Sequence, residues 1–219
     1  MISRATSEKP KALEPISIVT TSLSKRFNRE WIFRNFTHTF SSGNTYAITG
    51  ANGSGKSTLL QILWGQTPPT SGEIKYYRCT EELDGEQIFK SLTIATPYMD
   101  LIEEFTLEEQ LKFHFSLRKS RGLSIDEMID TLYLGKARHK FISNFSSGMR
   151  QRVKLGLAFF TEADIIFLDE PSTNLDQQAF EWYRKQLHLL PPTCMVLIAS
   201  NQSSEYPESA HKIDIMQFK

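Results

Sequence analysis

Apolar and polar positions change their period several times along the chain, and each change predicts a different element. Residues 16–20 (ISIVT) and 36–40 (FTHTF) alternate with the period of two that marks half-buried antiparallel strands, and Ser41-Ser42-Gly43 is a turn signal. Residues 46–49 (YAIT) read as a buried strand that runs directly into a glycine-rich turn. Leu59, Leu60, Leu63 and Trp64 then fall at helical spacing before Gly65 ends the helix. From Tyr98 to Arg152 the pattern is helical, carried by Leu107, Leu111, Phe115 and Leu117 and then by Ile125, Ile129 and Leu132. Residues 165–168 (IIFL) and 195–199 (MVLIA) are continuous apolar runs, as expected of strands covered on both faces in a parallel sheet. Gln177 to Leu190 between them reads as the crossover helix. The sum is an α/β chain with a small antiparallel layer at its start and a helical lobe in its middle third.

Composition narrows what such a chain can do. Of 219 residues, 40% are apolar, enough for a sizeable core, and 25 basic residues balance 25 acidic ones. Zero net charge gives no electrostatic footprint for nucleic acid, so none is expected as a partner, and any phosphate must be held by local geometry. The longest apolar run, Cys194 to Ala199, is far short of the roughly 18 residues needed to span a bilayer. Residues 1–15 are charged and contain two prolines, which reads as a short tail ahead of a single unit over 16–219, and a cytoplasmic location is the expectation. The two cysteines, Cys79 and Cys194, have no pairing pattern and are expected to be reduced and partly buried.

The candidate chemistry begins at residues 50–57. Gly50, Ala51, Asn52, Gly53, Ser54, Gly55, Lys56 and Ser57 fit the pattern G-x-x-x-x-G-K-[ST] between a strand and a helix. Glycines let successive backbone N–H groups turn inward around phosphate oxygens, and the helix start directs its positive end at the same point. Lys56 is placed to reach the β and γ phosphates, and the Ser57 hydroxyl to ligate Mg²⁺; Thr58 follows at the helix start. A second element, Asp169-Glu170, ends the apolar run 165–168, where ligands of open α/β sheets bind. Asp169 is the expected Mg²⁺-side carboxylate and Glu170 the candidate for polarising the attacking water. Two solvated acids at a strand end is the alternative, made weaker by the phosphate loop.

With these residues in place the sequence resembles the nucleotide-binding subunit of ATP-binding cassette (ABC) transporters over about residues 16–217. The resemblance rests on the order of its elements: Phe27, the phosphate loop, residues 145–153 (FSSGMRQRV) as a variant of the signature L-S-G-G-Q, the acidic strand end, and residues 172–176 (STNLD) after it. It implies a P-loop NTPase core of RecA-like type with an antiparallel β subdomain, over 16–96 and 153–219, and the family's helical subdomain over 97–152. It implies an ATPase using ATP and Mg²⁺, with Phe27 stacking on adenine. Ser146 and Gly148, at a helix start, would grasp the γ-phosphate of ATP held by a second copy, so that a head-to-tail dimer sandwiches two ATP molecules. Partners follow as well: membrane-spanning permease subunits, with the chain peripheral on the cytoplasmic face of the membrane and its contact surface near Tyr98 to Glu109.

The pattern is also broken in places. Ser147 and Met149 stand where the signature has glycine and glutamine. The family's histidine, some 31 residues after the catalytic glutamate, falls on Asn201, which can donate a hydrogen bond but cannot shuttle a proton. A glutamine expected some nine residues before Thr106 falls on Pro97, and none lies in 88–109. The expectation is binding and slowed hydrolysis of Mg-ATP, with Glu170, Lys56 and Asn201 as the catalytic set. A catalytically weak cassette in a heterodimer, or a soluble ABC ATPase outside transport, are the alternatives.

Overall fold

A computed structural model describes residues 14–219, so the expected tail lies almost wholly outside the described residues. The chain opens with β1 (Ile16–Phe27) and β2 (Glu30–Ser41), both longer than their alternating cores predict, followed by β3 (Thr45–Thr49) and α1 (Lys56–Leu63). Next come β4 (Ser71–Arg78), β5 (Glu81–Glu82), α2 (Gly85–Ser91) and β6 (Leu92–Ala95). The helical stretch holds α3 (Leu107–Leu117), α4 (Ile125–Thr131) and α5 (Ser147–Phe160), after which β7 (Ile165–Asp169), α6 (Gln177–His188), β8 (Met195–Ala199) and β9 (His211–Asp214) complete the chain.

Two sheets result. An antiparallel sheet has the order β2-β1-β4-β5, and a wholly parallel one the order β6-β7-β8-β3-β9. In the parallel sheet the apolar runs explain themselves. Ile166, Leu168, Val196 and Ile198 face a core shared with α3, α4, α5 and α6, while Ile165, Phe167, Met195, Leu197 and Ala199 face a second core shared with α1 and the antiparallel sheet. Successive side chains of a strand point to opposite faces, so a strand with a core on each side must be apolar at every position.

The register sets up the site. Ala199 of β8 pairs with Ile48 on one side and with Asp169 on the other. The segments that leave β3, β7 and β8 at their carboxyl ends therefore start side by side, which is where open α/β sheets bind ligands. Among the described residues, five of the six α-helices start on a side-chain cap, namely Asp84, Thr106, Ser124, Ser146 and Asp176. Thr106 also forms the reciprocal capping box with Glu109. Helix α5 continues as one helix past Arg152 to Phe160, and Val153, Leu155 and Leu157 are buried on it. Cys194 is buried as expected, but Cys79 is exposed: it sits in the turn between β4 and β5 with its backbone left-handed (φ 54°).

Candidate nucleotide site

The loop from β3 to α1 is built by its glycines. Gly50, Gly53 and Gly55 all have positive φ, and at Gly55 (φ 106°) an added Cβ would come within 2.4 Å of Ile32 Cγ2. The loop thus lies directly against β2. Helix α1 starts on Gly55 with no side-chain cap, unlike the other five α-helices, so its first-turn N–H groups are not satisfied by a side chain and its positive end faces the loop. The Ser54 hydroxyl is buried with no hydrogen-bond partner. An uncapped helix start, a buried donor without a partner and a turn too tight for a side chain together fit an anionic ligand held by backbone and hydroxyl groups.

Lys56 is buried, and its ammonium folds back across the loop to donate to the carbonyls of Gly50 (2.9 Å) and Ala51 (3.2 Å). Burial lowers its pKa, and the nearby charges of Glu170 and Asp169 act in the opposite direction. The Ser57 hydroxyl donates to Asp169 Oδ1 at 2.9 Å, joining α1 to the end of β7. Asp169 is almost fully buried, and desolvation pushes its carboxyl up to about 6 despite the Ser57 hydrogen bond. Glu170 follows with a left-handed backbone (φ 43°), fixed by its own N–H donating to the Ala199 carbonyl (2.9 Å) and by its carbonyl accepting from Thr173 N–H (3.1 Å). Such a conformation costs a non-glycine residue about 1 kcal/mol or more and persists only where neighbours hold it.

The Asn201 side chain donates to the Asn52 side-chain oxygen, linking the segment after β8 to the phosphate loop. The structure therefore brings residues 50–57, Asp169, Glu170 and Asn201 into one place. Ser146 and Gly148 have other contacts. Ser146 caps α5 by accepting from Met149 N–H (3.2 Å), and Gly148 lies so close to the Asn174 carbonyl that a Cβ would meet it at 2.7 Å. Neither hydrogen-bonds to the phosphate loop among the described residues. Phe27 ends β1 half-exposed, with the Lys25 ammonium 4.7 Å from its ring centroid. Pro97, at the position where a glutamine was sought, accepts from the Lys154 ammonium of α5 through its carbonyl (2.7 Å).

Sequence reasoning did not find the links Asn52–Asn201 and Ile32–Gly55, nor the buried acid Glu205, because contacts between distant segments leave no local period. No group of three or more His, Cys, Asp or Glu side chains able to hold a metal occurs among the described residues. Ser57 and Asp169 alone suit Mg²⁺, which is held by one or two protein oxygens together with phosphates and water.

A parallel sheet with a glycine loop and uncapped helix at one strand's carboxyl end, and an acidic pair at the next but one, defines a P-loop NTPase fold. Comparison with known proteins is more specific. The family model described as ABC transporter matches residues 33–173, and the chain belongs to that family, as an ATP-binding domain. Over 168 residues it is 30% identical to the uncharacterized ABC transporter ATP-binding protein YybJ of Bacillus subtilis, covering 74% of each chain. Over 183 residues it is 28% identical to ATP-binding cassette sub-family A member 2 of Rattus norvegicus, covering 81% of this chain but only 8% of that much longer protein. Among solved structures, an ABC transporter ATP-binding protein from Pyrococcus furiosus superposes with a TM-score of 0.76 at 22% identity, over 92% of this chain and 98% of that one. The ATP-binding cassette MJ0796, solved as a dimer in a post-hydrolysis state with ADP and Pi, gives 0.71 at 22% identity, over 84% and 88%.

Proposed function

We propose that this chain is the ATP-hydrolysing subunit of an ABC transporter. The observation that carries the reading is the convergence of Lys56, Ser57, Asp169 and Glu170 at one sheet edge, with Ser57 already hydrogen-bonded to Asp169. Residues 50–57 and the free start of α1 bind the phosphates, and Lys56 exchanges its two carbonyl partners for β- and γ-phosphate oxygens. Ser57 and Asp169 would hold Mg²⁺, which when bound would supply charge neutralisation for phosphoryl transfer. Asp169 is suited to this because its carboxyl, desolvated and short of donors, gains most from a cation.

Glu170 orients and deprotonates the attacking water, and Asn201 donates a hydrogen bond at the γ-phosphate end of the loop. Asparagine cannot take up a proton, and Pro97 offers only a carbonyl already used by Lys154, so turnover is slow. Phe27 stacks on the adenine ring, and its exposed ring supports this. Ser146 and Gly148, which have no hydrogen bond to this loop among the described residues, complete the site of a second copy, and the MJ0796 dimer is the precedent for such a pair. Residues 97–152 form the lobe that docks on membrane-spanning permease subunits. Tyr98 and Phe113 are exposed there, and such a site is peripheral on the cytoplasmic face.

Steady-state ATP turnover tests the reading. Wild type hydrolyses Mg-ATP, whereas Glu170→Gln binds it with unchanged affinity and turns over about 100-fold more slowly or less, the usual loss on removing a general base. Equal inactivity of the two proteins, with ATP bound by both, would leave an ATP-binding clamp and refute hydrolysis.

A further inference from the structure

Glu205 lies in the polar segment NQSSEYP after β8, yet it is only 2% exposed. A carboxylate out of water is costly unless donors face it, and no cation pairs with Glu205 among the described residues. Its Oε1 is instead devoted to one residue: it accepts from the Ser172 backbone N–H (3.0 Å) and from the Ser172 hydroxyl. The Glu205 backbone is itself anchored, since its carbonyl accepts from the hydroxyl of Tyr183, fully buried on α6 (2.6 Å), and its N–H donates to the Gln202 carbonyl (3.1 Å). Gln202 N–H donates in turn to the Ser200 hydroxyl (2.8 Å), and Ser200 N–H to the Ile48 carbonyl at the end of β3 (3.1 Å).

Ser172 is two residues after Glu170. Gln151 of α5 donates to the Pro171 carbonyl (2.9 Å), so the turn after Glu170 is gripped by two buried side chains from different elements. Glu170 itself has the left-handed backbone that needs such support. We propose that Glu205 is a positioning residue for hydrolysis: its buried carboxylate fixes Ser172, and through it the placement of Glu170 relative to Asn201, which leaves β8 four residues before Glu205. The inference rests on the hydrolytic reading above.

The test compares Glu205→Ala and Glu205→Gln for steady-state turnover, ATP affinity and amide exchange over residues 170–176. Glutamine keeps an oxygen able to accept both Ser172 bonds, and alanine does not. Alanine is expected to lower kcat about 10-fold or more, since small displacements of a catalytic group are expensive, while KM and ATP affinity stay within about 2-fold. It should also speed exchange at the Ser172 amide about 10-fold, the equivalent of one hydrogen bond. Glutamine restores both. Ser172→Ala, a milder change that spares the backbone bond, should give an intermediate kcat. The proposal is overturned if alanine leaves kcat unchanged, or if kcat and ATP affinity fall together in both Glu205 variants, as a loss of folding would produce. A wild type without turnover refutes the hydrolytic reading, and with it the positioning role of Glu205 in hydrolysis. The exchange rates then still decide the anchor: unchanged protection in the alanine variant refutes that as well.

Discussion

Single residues in the phosphate loop can be ranked by what their backbone and surroundings forbid. Gly53 and Gly55 both have positive φ, but an added Cβ meets nothing at Gly53 and strikes Ile32 at Gly55. Gly53→Ala therefore costs only the left-handed conformation, about 1 kcal/mol, whereas Gly55→Ala also forces β2 or the loop to move and costs about 2 kcal/mol more. Chemical denaturation of the two variants checks the difference; equal losses would contradict the contact with Ile32. Gly55→Ala should also weaken ATP binding more, because the displaced loop is the one proposed to receive the phosphates. Residues of this kind were legible as a motif from spacing alone. What spacing could not show was why each glycine is needed, since Ile32 lies 23 positions away in sequence and the contact exists only once β2 has paired with β1.

At the scale of elements, α3 is joined to the end of α5 by His114. Its Nε2 lies 2.9 Å from the Thr161 hydroxyl, which donates onward to the Leu157 carbonyl (2.6 Å), so the imidazole must be the donor and carries its proton on Nε2. Burial first, and the Arg118 charge second, push the His114 pKa down to about 4. The unfolded chain takes up a proton near the ordinary histidine value, about 6.5, and the folded chain does not until about pH 4. Stability is therefore unaffected above that window and falls as pH drops through it, by about 2 kcal/mol between about pH 7.5 and 5. Urea denaturation at the two pH values should show this loss in wild type and a smaller one in His114→Gln. An equal loss in both would remove His114 as the cause.

Elements with strong periods were the legible ones: α3, α6 and the apolar strands β7 and β8 were expected where they lie. β4, α2, β6 and β9 were not marked by any pattern. β6 and β9 are four residues each, too short for a period to show, and both draw their place from a parallel neighbour, β7 or β3. Strand β4 is a different case. It pairs with β1 along nearly its whole length, but it interrupts its own alternation with only Tyr76 fully buried. The buried acid Glu205 was illegible for the same reason, since nothing local separates it from the exposed glutamates of other loops.

For the whole molecule, the two cores on either side of the parallel sheet leave its carboxyl edge as the one place where β3, β7 and β8 all release polar residues. The chain has no net charge, and the groups proposed to bind phosphate are concentrated there. None of the described helices is long and apolar enough to cross a membrane. Ser146 caps α5 and Gly148 lies against Asn174, two residues past the Ser172 that Glu205 holds, and in the reading proposed above they complete the site of a second copy.

That closed pair is the central claim, and sedimentation of the Glu170→Gln variant tests it most directly, because the variant is expected to hold ATP while turning it over slowly. With saturating Mg-ATP the variant should sediment at twice the mass it has without nucleotide, and adding Ser146→Arg, which crowds the signature, should keep it at the single mass while ATP still binds. A Glu170→Gln protein that binds Mg-ATP and remains at the single mass would contradict the account.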